Sequence, residues 1–306
     1  MSLDLLKKYK EFISLGNKER QKTFFSLGPL SVNLSVGDSR GIPSGRLVQV
    51  VGKQSSGKST LALDIMAQHQ RTSGLEVVYI DFERSYDMDY AAAIGIDLGR
   101  LYVVRPDTTE QGLNIAEEAI KSGEIKLVVI DSIAAAMPSS ELPKDYDDSP
   151  KMASNAGLIT RFANRIIPLL DNNDALLIVL NQLRKNFSTL SPETEIPFGG
   201  MSLQYATAVT LHVTKTSTKD TFQTTQVVVK KNKVSAPQGR CEFTIQYGVG
   251  IRHDLDLLTL AIGVGLVVKN GAWLSYNDIK VQGLDKAAVE FPLQEIRDRL
   301  LEIQNG

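Results

Sequence analysis

Leu47-Val48-Gln49-Val50-Val51 runs directly into Gly52-Lys53-Gln54-Ser55-Ser56-Gly57-Lys58-Ser59, and a helical pattern, Ser59–Gln70, follows at once. An apolar strand, a loop of the form G-x-x-x-x-G-K-[ST] and a helix, in that order, form the context in which such a loop cradles phosphate. Its glycines let the backbone curl so that successive N–H groups point inward, and the helix N-terminus adds partial positive charge at the same place. Lys58 supplies a full charge for the β- and γ-phosphates, and the Ser59 hydroxyl is a ligand for Mg²⁺. Gly52, Gln54, Ser55, Ser56, Gly57 and Thr60 complete the expected lining. The stretch predicts that ATP or another nucleoside triphosphate binds here.

Two further strands meet this loop. Leu127-Val128-Val129-Ile130 ends in Asp131, and an acid at the C-terminal end of a parallel strand lies where an α/β sheet presents its ligands. Asp131 is therefore the expected magnesium partner beside Ser59. Tyr79-Ile80-Asp81-Phe82-Glu83 places two carboxylates at another strand end. Either is a candidate to orient the attacking water, and either is equally readable as a solvated loop residue.

Further out, the apolar runs Val77–Asp81, Leu176–Asn181 and Ala208–Val213 alternate, in the first half, with helical stretches such as Gln111–Lys121. Strands buried on both faces with crossover helices between them predict an α/β fold around a largely parallel sheet. Gln226–Lys230 and Glu242–Tyr247 follow without long helices and are expected as antiparallel additions at one edge. From His253 the chain turns to short helices around Gly263, Gly265 and Gly271, read as a small C-terminal domain. At the other end, Leu3, Leu6, Tyr9, Phe12 and Ile13 have helical spacing. That helix either packs on its own domain or docks on a neighbouring subunit.

Composition narrows the class. The 306 residues carry 42% hydrophobic and 23% charged side chains, and the formal net charge is −1. Global charge gives no nucleic-acid signature, so any such site must come from local segments. The single cysteine, Cys241, forms no disulfide framework, and His69, His212 and His253 show no metal-ligand spacing. Without an apolar leader or a run near the ~20 residues that span a bilayer, a cytoplasmic protein with no membrane partner is expected.

The wider set of motifs resembles bacterial RecA recombinases. Gln54-Ser55-Ser56-Gly57-Lys58-Ser59-Thr60-Leu61 resembles E-S-S-G-K-T-T-L, and Gly41-Ile42-Pro43-Ser44-Gly45-Arg46-Leu47-Val48 resembles G-L-P-x-G-R-I-V. Ile80-Asp81-Phe82-Glu83 with Asp87 and Tyr90 is similar to the I-D-A-E segment. Val129–Ala135 is similar to V-V-D-S-V-A-A, and Asn181-Gln182-Leu183-Arg184 to N-Q-I-R. Lys231-Asn232-Lys233-Val234-Ser235-Ala236-Pro237 resembles K-N-K-x-x-A-P, and Gly271–Tyr276 resembles G-A-W-Y-S-Y. These matches run in order from about Gly28 to Tyr276.

The resemblance implies a RecA-type P-loop NTPase core over residues 28–252 with a mostly parallel central sheet. An N-terminal polymerisation arm, 1–27, would precede it, and a small α+β C-terminal domain, 253–306, would follow. By resemblance Glu83 activates the water, Tyr90 stacks on adenine and Asp87 sits near the exocyclic amine. Gln182 senses the γ-phosphate and relays nucleotide state to the loop after it. Lys231 and Lys233 reach the neighbour's ATP, as cations delivered in trans.

Two loops are implied to bind single-stranded DNA, about Ser139–Met152 and about Arg184–Phe198. The second offers Arg184, Lys185 and Asn186 to phosphates and Phe187 as a wedge between bases, with Gly199 and Gly200 closing it. Phe187 is otherwise a loop residue folded back on the core. The first loop is acidic (Glu141, Asp145, Asp147, Asp148) and departs from the family pattern; Asn155, Arg161 and Arg165 are its alternative DNA contacts, the two arginines equally readable as solvated charges on a helix face.

The expected function is a DNA-dependent ATPase that uses ATP and Mg²⁺. It would form filaments with itself on single-stranded DNA and exchange strands with a homologous duplex. A ring helicase would instead be expected to carry a trans arginine in place of Lys231 and Lys233. An accessory RecA-fold protein that had lost exchange would tolerate decay at Lys58, Glu83, Asp131 or the lysine pair, and all are intact.

Overall fold

The computed structural model describes residues 21–141, 153–185, 195–236 and 239–305. A short antiparallel pair, β1 (Phe24–Phe25) and β2 (Ile42–Pro43), brackets helix α1 (Leu30–Val36). Then come β3 (Arg46–Gly52), α2 (Lys58–Ser73), β4 (Val77–Asp81), α3 (Met88–Ile94), β5 (Leu101–Val104), α4 (Thr109–Lys121) and β6 (Leu127–Asp131). The long helix α5 (Ala153–Asn172) leads to β7 (Leu176–Lys185), β8 (Glu195–Pro197) and the two-turn helix α6 (Gly200–Ala206). An antiparallel run closes the sheet: β9 (Val209–Thr218), β10 (Phe222–Asn232), β11 (Arg240–Gln246) and β12 (Gly250–Ile251).

These strands form one sheet in the order β12-β11-β10-β9-β3-β7-β6-β4-β5, with β8 paired to β7 alone. From β9 to β5 every pair is parallel, and from β9 to β12 every pair is antiparallel. The expected parallel core with an antiparallel edge is therefore observed. β9 runs past its apolar centre into an exposed polar half, Thr214–Thr218, and β10 pairs with it through residues that alternate half-buried and buried, with Gln223 and Thr225 facing inward.

Burial on both faces explains the uninterrupted apolar strands. On β3, Val48 and Val50 pack with Leu61, Ile65 and Met66 of α2. Leu47 points the other way, into a second cluster with Leu113 and Ile120 of α4 and Phe162 and Ile166 of α5. Each such fully buried side chain contributes about 1.5–3 kcal/mol. Caps fix where the helices start: the Asp87 side chain accepts from Tyr90 N before α3, and Thr108 accepts from Gln111 N before α4.

After β12 the chain forms α7 (His253–Gly263), a three-stranded antiparallel sheet of β13 (Val268–Asn270), β14 (Trp273–Tyr276) and β15 (Ile279–Gln282), then α8 (Leu284–Glu290) and α9 (Leu293–Asn305). These share a third cluster built on Leu258, Leu274, Tyr276, Phe291, Ile296 and Leu300. Leu30 of α1 belongs to the same cluster, so a helix from the start of the chain is part of what this last segment packs on.

Register decides where the chemistry sits. Gly52 of β3 is level with Gln182 of β7 and with Val213 of β9, and Asp81 is level with Asp131. All lie at one edge of the sheet, the C-terminal ends of the parallel strands, where ligands are presented.

Candidate active site

At that edge the loop from Gly52 to Ser59 turns from β3 into α2. Two residues adopt left-handed backbone, Ser55 at φ 57° and Gly57 at φ 98°. The turn at Gly57 also leaves no room for a side chain: a Cβ there would lie 2.7 Å from Cδ1 of Ile245. Lys58 is only 8% exposed, and its Nζ donates to the Lys53 carbonyl across the loop at 2.8 Å. Burial lowers the Lys58 pKa, while the carboxylates of Asp131 and Glu83 pull it back up. The ammonium is thus held inside the loop, facing the acids.

Asp131 is buried at 2% exposure, and one of its oxygens collects two donors. Ser59 Oγ donates to Oδ2 at 2.7 Å, and the buried Tyr79 hydroxyl donates to the same atom at 2.6 Å. Burial raises the Asp131 pKa, against the lowering effect of those two bonds. A buried carboxylate resisted by desolvation, with a serine hydroxyl alongside, favours a cation. Among the described residues no cluster of three His, Cys, Asp or Glu side chains is placed to hold a metal. One hydroxyl and one carboxylate do suit Mg²⁺, which completes its octahedron with phosphate oxygens and water. Ser59 and Asp131 therefore fit the expected ion.

The turn after β4 gives Asp81 and Glu83 different surroundings. Asp81 is fully buried, and its carboxylate folds back to accept from Ser85 N at 3.1 Å and Tyr86 N at 3.0 Å. It pins the loop. Glu83 stays exposed, and its Oε1 accepts from Ser132 Oγ at 2.5 Å and from Gln182 Nε2 at 2.9 Å. Of the two acids, Glu83 is the one whose charge acts on Lys58 of the phosphate loop.

On the other side of the loop a cavity of about 210 Å³ is lined by Ser55 to Thr60, Tyr90, Gln223, Ile245 and Tyr247. The Tyr90 hydroxyl lies 3.0 Å from Thr60 Oγ1, which sets the ring at the cavity wall. Asp87, expected near a base amine, serves α3 as its cap through Oδ1. Gln223, Ile245 and Tyr247 were not anticipated from the sequence. They arrive from β10 and the end of β11, and Thr225 Oγ1 of β10 reaches the Ser56 carbonyl at 3.5 Å, so this hairpin buttresses the loop.

Lys231 and Lys233 lie elsewhere. β10 runs antiparallel to β9, so its end falls at the opposite edge of the sheet: Lys231 is level with Thr210, and Lys233 N donates to the Ala208 carbonyl. Ala208 is five strand positions from Val213 beside the phosphate loop, about 17 Å at ~3.4 Å per residue. Both ammonium groups turn onto the last carbonyls of α6. Lys231 Nζ donates to Gln204 O and Tyr205 O, and Lys233 Nζ donates to Tyr205 O at 2.6 Å. Partial burial, aided by the like charge of Lys233, lowers the Lys231 pKa to about 8. The two lysines do not approach the phosphate loop of their own subunit.

Residues 7–252 match the family described as RecA N-terminal domain. The chain belongs to the RecA family. It is 38% identical to Protein RecA of Clostridioides difficile over 283 residues, covering 91% of this chain and 80% of that one. It is 36% identical to Protein RecA of Rubrobacter xylanophilus over 296 residues, 94% of this chain and 85% of the relative. Protein RecA of Clostridium novyi is 36% identical over 285 residues, 92% and 80% of the two chains.

For a RecA-family chain the loops implied to bind DNA then matter most. Arg184 and Lys185 end β7, whose backbone pairs with Ile196 and Glu195. Asn186 and Phe187 lie outside the described residues. The feet of this segment are tied together: Asn181 Nδ2 donates to the Phe198 carbonyl at 2.6 Å and Phe198 N to the Gln182 carbonyl. Gly199 (φ 98°) and Gly200 (φ 74°) turn the chain into α6. Residue Gln182, at the root, is the same one that donates to Glu83.

The first such loop is described only to Glu141. Its start is anchored on α4, with Ser139 N and Oγ donating to the Glu110 carboxylate. Of its three alternative contacts, Asn155 donates to the Ala136 carbonyl and accepts from Thr109 Oγ1, so it is a structural tie. Arg165 pairs with the nearly buried Glu117 at 2.5 Å. Arg161 is exposed on α5 near Glu110. The expected N-terminal helix, Leu3–Leu15, lies outside the described residues.

Proposed function

We propose that this protein is an ATP-driven recombinase that assembles head to tail on single-stranded DNA and pairs that strand with a homologous duplex. The observation that carries the reading is Gln182. Its amide holds the carboxylate of Glu83, and its backbone leads within two residues into the Arg184–Phe198 segment. A nucleotide-dependent movement of this one side chain reaches DNA contacts directly, which an ATPase with no nucleic-acid role does not need.

In this mechanism the loop amides and Lys58 bind the β- and γ-phosphates, with Tyr90 against the base. Ser59 and Asp131 would hold Mg²⁺, which would supply positive charge to the transferring phosphoryl group. Glu83 orients the attacking water through its Oε2, the oxygen that takes no protein donor among the described contacts. Lys231 and Lys233 of an adjacent subunit supply positive charge to the transferring group, which excludes hydrolysis by an isolated subunit. Their distance from their own phosphate loop supports sharing between subunits. Arg184, Lys185, Asn186 and Phe187 hold the strand near the filament axis. Among the described residues no helix is long and apolar enough to cross a membrane, and a cytoplasmic site of action is part of the proposal.

The test is joint-molecule formation between a single strand and homologous supercoiled duplex, with ATP, for wild type and Lys58→Ala. ATP-dependent joints with homologous but not heterologous DNA, lost in the variant, are expected. DNA-stimulated hydrolysis without joints would remove strand exchange and leave an accessory ATPase, with the acidic first loop as the first place to look.

A further inference from the structure

We infer that Ser132 is a positioning residue for ATP hydrolysis: its hydroxyl keeps the Glu83 carboxylate aimed at the phosphate while Gln182 lets go. The inference rests on Glu83 being the residue that orients water.

Glu83 needs a holder. It sits on the loop between β4 and α3, is exposed, and is followed by Arg84 in left-handed backbone at φ 53°. An exposed glutamate with three free torsions spreads over many rotamers, and fixing it costs conformational entropy. Among the described contacts its carboxylate has two donors, Ser132 Oγ and Gln182 Nε2, both on Oε1. Two donors converging on one oxygen fix the plane of the carboxylate and leave Oε2 for water.

The two donors differ in permanence. Gln182 is half-buried and, on the proposed function, turns to the γ-phosphate. Ser132 is fully buried, and its backbone is anchored on every side. Phe82 N donates to the Asp131 carbonyl at 2.7 Å, Ile133 N to the Leu180 carbonyl at 3.2 Å, and Ala135 N to the Ser132 carbonyl at 3.0 Å. The first of these bonds ties the Glu83 loop itself to the strand that carries Ser132. When Gln182 turns to the γ-phosphate, Ser132 alone preserves the orientation. A carboxylate preset in this way needs no reorganisation at the moment of attack.

The experiment is a double-mutant cycle on the full chain with single-stranded DNA: wild type, Ser132→Ala, Glu83→Gln and the double variant. Single-turnover hydrolysis, ATP affinity and thermal stability are measured for each. Ser132→Ala is expected to slow hydrolysis about tenfold, the change that loss of one aligned hydrogen bond brings, with ATP affinity within about twofold. In the Glu83→Gln background the same substitution is expected to add no further loss, because its effect passes through Glu83. An equal loss in both backgrounds, or no loss in either, overturns the inference and leaves the role of Glu83 standing. Wild-type hydrolysis by Glu83→Gln overturns the reading of Glu83 itself, and Ser132 falls with it. If the alanine variant does not fold, Ser132→Cys, with its weaker donor, carries the same comparison and is expected to give an intermediate rate.

Discussion

Mixing two inactive variants tests whether the ATP site is shared between subunits. Lys231→Ala/Lys233→Ala keeps the phosphate loop and lacks the distant cations. Lys58→Ala keeps those cations and lacks the phosphate-loop lysine. Lys233 is anchored beside Ala208, about 17 Å along the strands from the loop edge, and both ammonium groups face α6. Neither variant can therefore complete its own site. Removing cations that act on a transferring phosphoryl group costs about a thousandfold, so each protein alone is expected to be nearly silent. In an equimolar filament with random order, a productive junction needs an intact loop on one side and intact lysines on the other. With head-to-tail contacts only one of the four ordered pairs qualifies, so DNA-dependent hydrolysis is expected to recover to about one quarter of the wild-type rate. The assay is steady-state ATP hydrolysis on a long single strand across mixing ratios, with a maximum at equal amounts. A rate that never exceeds the weighted mean of the two parents refutes the shared site, as does undiminished hydrolysis by the double-lysine variant alone.

Tyr79→Phe removes one of two donors from a buried carboxylate. A stability loss of about 1–3 kcal/mol is expected from thermal unfolding, together with an increase of about tenfold or more in the Mg²⁺ needed for half-maximal hydrolysis. Lys231, with its pKa near 8 in the free subunit, loses its charge as pH rises through that value. At pH 8 it should be acylated by an amine reagent ahead of lysines titrating near ~10.4. The advantage should disappear once nucleotide and DNA assemble the filament and phosphate favours the ammonium; equal labelling in both states counts against trans engagement.

What the sequence made legible was what local pattern encodes. Leu47–Val51, Val77–Asp81 and Leu127–Asp131 read as strands because a strand buried on both faces is a nearly continuous apolar run, which the buried Gln49 interrupts only once in the first of them. The loop at Gly52–Ser59 read as a phosphate site because the spacing of its glycines, lysine and serine is itself the geometry. Asp81 and Glu83 did not separate, since both stand at one strand end; the difference is a turn in which Asp81 takes the Ser85 and Tyr86 amides. Asp87 is a polar residue before a short helix, and its capping bond to Tyr90 N gives it a local task that family likeness alone did not suggest. Gln223, Ile245 and Tyr247 reach the cavity through pairing of Phe222 with Gln246 and of Gln223 with Ile245. No local signal marks them, because that register is set by contacts between strands rather than along the chain.

Placing the phosphate loop on one edge of the sheet and the lysine pair on the other makes the subunit an arrow. On the shared-site reading, any open row of such arrows has one junction fewer than its members, so the shortest assemblies hydrolyse least per subunit. Its two tips also differ chemically. One displays a phosphate loop waiting for cations, and the other displays lysines still resting on the end of α6. Addition and loss at the two tips are then separate reactions with separate dependence on ATP, and the polarity of a growing filament is already written in the direction of β10.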